Sequence, residues 1–74
     1  MKLPIISGLE TIKCLKRAGF IATRQKDSHV RMERSIGEKV IKLTVPLHSE
    51  LKKGTLNNII KEAGLTLEEF DKLR

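Results

Sequence analysis

The chain has 74 residues, a mass of 8.4 kDa, a formal charge of +6 at neutral pH and a pI near 9.8. A chain this short buries only about 60% of the surface its unfolded form exposes, which excludes a deep cofactor cavity and a multi-domain cleft. With 39% hydrophobic and 32% charged residues it has the composition of one soluble globular domain over residues 1–74, so its chemistry must lie on a surface and use few side chains.

The first predicted element is a helix opening at Ser7-Gly8-Leu9-Glu10. Ser7 and Glu10 stand at capping-box spacing. Leu9, Ile12 and Leu15 share an apolar arc, with Lys13, Lys16 and Arg17 off its centre. Gly19 supplies the stop. Three strand candidates follow. Phe20–Gln25 is rich in strand formers but does not alternate strictly. Ser28–Arg34 alternates, with Val30 and Met32 on one face and His29, Arg31 and Glu33 on the other. A turn at Ser35–Glu38 leads to Lys39–Val45, where Ile41, Leu43 and Val45 oppose Val40, Lys42 and Thr44. Pro46, which lacks an N–H, ends that strand. After a polar loop, a second helix begins near Gly54-Thr55, with Leu56, Ile59, Ile60 and Ala63 as its apolar stripe and Gly64 as its stop. Thr66 and Glu69 open a short third helix with a second capping box, and Leu65 and Phe70 fit a hydrophobic staple. The expected fold is α+β: a three-stranded antiparallel meander with the helices on one face and the other face open.

Charge is uneven along the chain. Residues 1–53 hold 12 Lys/Arg against 5 Asp/Glu, a surplus of +7, and residues 54–74 hold 3 against 4, a net of −1. A basic face on a small domain points to a polyanion, first of all nucleic acid, against the plainer reading of a solvated surface. The chain has no Trp or Tyr, and its two Phe residues, Phe20 and Phe70, fall at core-patterned positions. Contacts to nucleic acid should then go to phosphates and sugars, not to stacked bases. The single cysteine, Cys14, forms no internal disulfide, which suits a reducing cytoplasm. It lies near the polar border of the first helix and reads as a small structural residue. His29 and His48 lie far apart and pair with no cysteine at zinc-like spacing, so no metal or other cofactor is expected. No apolar run approaches the roughly 18 residues of a membrane span, and Met1–Ile6 is too short for a signal peptide.

Several segments taken together resemble one family. Ala18-Gly19-Phe20, then Arg24-Gln25-Lys26-Asp27-Ser28-His29, then Val45-Pro46-Leu47-His48 and Leu51-Lys52-Lys53-Gly54-Thr55-Leu56, then Ile59–Leu65, resemble the HicA family of mRNA-interferase toxins, over about Ser7 to Phe70. The resemblance implies a double-stranded-RNA-binding-domain-like α-β-β-β-α sandwich. It also implies metal-independent cleavage of mRNA by a single catalytic histidine, which aligns with His29, and a cognate antitoxin of the HicB type that masks that histidine. The family commonly carries glycine before the Ser-His pair, and here the residue is Asp27. An aspartate tolerates turns, and its charge both favours an imidazolium and repels phosphate.

RNA supplies its own nucleophile, the 2′-hydroxyl, so a positioned acid or base and a few cations suffice to cut it. Histidine titrates near neutral pH and suits that work. Arg24, Lys26, Ser28, Arg31, Lys52 and Lys53 are the candidate RNA-binding residues, and His48 is a secondary candidate. Lys52 and Lys53 precede a helix N-terminus, an arrangement that favours anions but also suits two solvated lysines. The alternative function is a non-catalytic double-stranded-RNA-binding module, against which the short chain counts. A third reading is an interaction domain whose basic face pairs with an acidic protein.

Overall fold

The computed structural model describes residues 3–74, so the first two residues of the Met1–Ile6 stretch lie outside it. The elements run α1 (Gly8–Arg17), β1 (Ile21–Lys26), β2 (His29–Ile36), β3 (Lys39–Pro46), α2 (Lys53–Glu62) and α3 (Leu67–Lys72). The strands form one antiparallel sheet in the order β1-β2-β3. The helices pack on one face and leave the other open, as the sequence predicts. No helix among the described residues is long and apolar enough to cross a membrane.

Alternation along β2 and β3 builds the core. Val30 pairs with Val45 and Met32 with Leu43, and all four side chains are buried. They form one cluster with Ile12, Leu15, Leu56, Ile59, Ile60 and the two phenylalanines. Burying each large apolar side chain contributes about 1.5–3 kcal/mol. Phe20 and Phe70 are only 2% and 1% exposed, so neither offers a stacking platform.

Of the helix-end signals, two hold in full, one holds in part and one shifts. Gly19, at φ 102°, closes α1: the Phe20 N–H donates to the Leu15 carbonyl at 3.0 Å and the Gly19 N–H to Lys16 at 3.1 Å. At α3 both arms of the predicted capping box form, Glu69 N–H to Thr66 Oγ1 at 3.1 Å and Thr66 N–H to Glu69 Oε1 at 2.9 Å. At α1 only one arm forms: Ser7 Oγ accepts from the Glu10 N–H at 3.1 Å. Helix α2 begins at Lys53, one residue earlier than expected, with Lys52 as an N-cap that makes no side-chain bond.

The apolar arc of α1 is the main correction. Leu9 was expected inside and is 57% exposed, whereas Cys14, expected at the border, is buried. Gly8 explains the rotation. A Cβ on Gly8 would lie 1.9 Å from the Pro46 carbonyl oxygen, so the helix start rests directly on the end of β3. That close approach turns Gly8, Thr11, Ile12, Cys14 and Leu15 inward and swings Leu9 to solvent. Buried Thr11 satisfies its hydroxyl by donating to the Ser7 carbonyl at 2.9 Å. Burial pushes the Cys14 thiol above its ordinary range, with Arg17 and Arg74 pulling the other way, so Cys14 is a packing residue and not a nucleophile.

Two hairpins set the strand registers. In the first, Lys26 pairs with His29 across the two-residue turn Asp27-Ser28. Asp27 has φ 55°, in the left-handed region, where glycine is unstrained and aspartate is tolerated at a cost. Asp27→Gly is therefore expected to raise stability by about 0.5 kcal/mol, or roughly 2–4 °C in melting temperature. Asp27→Ala, with no polar side chain to bond locally, is expected to lower it. Thermal melts of the two variants check both signs.

Candidate nucleic-acid interface

The open sheet face carries the predicted cations, but by a route that alternation alone does not show. In β1 the pairing shifts between Ala22, opposite Met32, and Arg24, opposite Arg31. Thr23 is the extra residue of a β-bulge. Without it, Thr23 and Gln25 would pair on the open face, and Arg24 and Lys26 would turn toward the helices. With it, Arg24 shares the open face with Arg31, and Lys26 shares it with His29. The bulge also accounts for the missing alternation in this strand. It is held by the Thr23 hydroxyl, which lies 3.1 Å from Glu33 Oε2 and 3.4 Å from the Arg31 carbonyl oxygen.

Arg24, Lys26, His29, Arg31 and Thr44 line one shallow, open groove of about 260 Å³. Arg24 and Arg31 stand directly opposite each other, and so do Lys26 and His29. Like charges in register repel, and a sheet built for stability alone pairs them with carboxylates. Among the described residues the only ion pair is Arg74–Asp71, at 2.8 Å, far along the chain from the groove residues. The groove thus presents unneutralised cations around one exposed imidazole.

His29 is anchored through its neighbours. It opens β2 opposite Pro46, the last residue of β3. The Leu47 N–H donates to the Ser28 carbonyl at 2.7 Å, and the Gly8 N–H donates to the His48 carbonyl at 2.9 Å. The backbone around His29 is therefore tied to β3 and, through β3, to the start of α1. The imidazole itself remains exposed to whatever enters the groove.

The other candidates divide. Ser28 lies exposed in the turn beside His29, with its carbonyl taken by Leu47. Lys52 and Lys53 are exposed at the start of α2 and do not line the groove. His48 is exposed too, in a separate and more apolar depression of about 460 Å³ shared with Ser7, Leu9, Leu47 and Ser49. Sequence reasoning missed Thr44. Its place opposite Arg31 follows from the β2–β3 register and was open to anyone counting back from Pro46.

A small basic sheet face with one central histidine is thus the site to be explained. No curated protein sequence matches the chain at a significant level. A family model described as the HicA toxin of bacterial toxin–antitoxin systems does match, over residues 8–65. That span runs from the glycine that seats α1 on β3, through the whole sheet and α2, to the residue after the α2 stop, and so the chain belongs to the HicA toxin family.

Proposed function

We propose that the protein is a toxin that cuts mRNA without a metal ion, with His29 as its catalytic residue. The carrying observation is the cluster of unneutralised cations set in like-charged register around an exposed histidine. Arg24, Lys26 and Arg31 bind the phosphate backbone and stabilise the charge that develops at the scissile phosphorus. Ser28 donates a hydrogen bond to phosphate from the turn. His29 moves a proton to or from the reacting oxygens. The 2′-oxygen bonds to phosphorus as the 5′-oxygen leaves, giving a 2′,3′-cyclic phosphate and a 5′-hydroxyl. Lys52 and Lys53, outside the groove, serve at most a passing RNA strand, and His48 takes no part in the chemistry.

Family membership implies an antitoxin partner. A HicB-type antitoxin that lays carboxylates over the same groove would neutralise the cations and exclude RNA together. The action on mRNA places the working protein in the cytoplasm.

The test is incubation of purified protein with single-stranded mRNA in the presence of a chelator. Fragments ending in cyclic phosphate support the reading, and intact RNA at all protein concentrations overturns it. A second measurement addresses the cations. Arg31→Ala is expected to weaken RNA binding about ten-fold and to reduce the slope of log affinity against log salt by about 1. Because it relieves the repulsion with Arg24, the same change should not lower the melting temperature. Tight duplex binding with no cleavage would favour the non-catalytic module instead.

A further inference from the structure

The open face continues past the groove, and its next feature is a carboxylate. Glu33 follows Arg31 by two residues on β2, on the same face, and is half-buried. It lies about 7 Å from Arg31 and about 13 Å from His29 along the strand. It is the only acidic residue among the strand residues of this sheet. Its register partner is Lys42, yet the two form no ion pair. Its one hydrogen bond among the described residues comes from Thr23, the bulge residue, to Oε2 at 3.1 Å.

A carboxylate here works against phosphate binding, since it repels the very backbone that Arg24 and Arg31 attract. It gains only from a group that donates. Nucleobase edges are such groups, and unpaired RNA bases are read on their Watson–Crick edges. Guanine presents N1–H and N2–H side by side, a match for two carboxylate oxygens. Uracil presents one N–H between two carbonyls, which repel a carboxylate. The hydroxyl of Thr23 uses one lone pair of Oε2 and leaves the others open while holding the carboxylate in place.

We propose that Glu33, positioned by Thr23, reads guanine one or two nucleotides from the phosphate held at His29 and Arg31. This inference rests on RNA as the substrate. It makes the β1 bulge a double device: it turns Arg24 and Lys26 outward, and it supplies the hydroxyl that orients the base-reading carboxylate.

A binding experiment tests the subsite without requiring cleavage. The His29→Ala protein is titrated, by fluorescence anisotropy, against a short all-uridine RNA and the same RNA with one guanine. The guanine RNA is expected to bind about ten-fold tighter. Adding Glu33→Gln should bring the two affinities within about two-fold, whereas Glu38→Gln, in the other hairpin turn, should leave the ratio at its starting value. Thr23→Val keeps the Glu33 charge and should lower the ratio to about three-fold, so the idea stays testable even if Glu33→Gln fails to fold. Equal affinities in the His29→Ala protein, or a guanine preference that survives both Glu33→Gln and Thr23→Val, overturns the subsite. Cleavage by the wild type with no guanine preference sinks the subsite and leaves the nuclease reading standing. A guanine preference without cleavage does the reverse.

Discussion

His29→Ala is expected to slow RNA cleavage by about a hundred- to ten-thousand-fold, measured with chelator present, while leaving the fold intact. The loss is large because the groove offers no other side chain that exchanges protons readily near neutral pH. The other lining residues are two arginines, one lysine and Thr44, whose hydroxyl is a poor base. The fold survives because His29 is exposed and its backbone, not its imidazole, carries the contacts to β3. An exposed substitution of this kind usually changes stability by less than about 0.5 kcal/mol. The RNA should still bind, since the cations remain. A variant that binds and does not cut separates chemistry from affinity. Cutting at the wild-type rate would remove His29 from the mechanism.

Gly8→Ala is expected to cost about 3 kcal/mol or more of stability, with a melting temperature lower by at least about 12 °C. A small domain holds only about 5–15 kcal/mol in total, so much of the population could unfold on warming. The cause is a clash of backbone against a new methyl group. The added Cβ would meet the Pro46 carbonyl oxygen at 1.9 Å and the α-carbon of Leu47 at 3.1 Å, and neither can rotate away. The effect reaches the site as well, because Pro46 pairs with His29 and Leu47 holds Ser28. Cleavage should therefore fall even at temperatures where the variant is folded. Gly54→Ala is the matched control. A Cβ there meets nothing within 4 Å, and alanine is the better helix former, so stability should rise slightly. Equal melting temperatures for Gly8→Ala and wild type would show that α1 does not depend on this contact.

The parts of the molecule that obey one simple period were legible in the sequence. Val30 and Met32 alternate with His29 and Arg31, and β2 does turn the first pair inward and the second outward. Phe20, Leu56, Ile60 and Phe70 sit where the helical and strand periods put them. The departures all come from contacts that hydropathy does not record. Gly8 contributes no side chain, yet its closeness to Pro46 sets the rotation of α1 and exposes Leu9. Thr23 has an ordinary strand residue's character, yet it is the one that shifts the β1 register. In the loop, linear nearness does not carry over to the groove: His48 and Lys52-Lys53 follow the sheet closely in the chain but do not line it. Asp27, which departs from the family's usual glycine, occupies a positive φ that explains why glycine is usual there.

The β1 bulge has a consequence for how this surface tolerates change over time. The cations of the groove depend on the length of β1 as much as on its composition. A substitution that swaps arginine for lysine leaves the positive charge facing outward. Removing Thr23 would leave Ala22 opposite Met32 and Arg24 opposite Arg31 in an unbroken ladder, with the cations still outward, whereas removing Gln25 with the turn held would set Arg24 opposite Val30, on the core side of the sheet. A comparison scored by charge or hydropathy would see almost no difference between the two chains. Changes of length between Arg24 and the Asp27-Ser28 turn, not exchanges within the strand, are the changes that selection on the groove must remove.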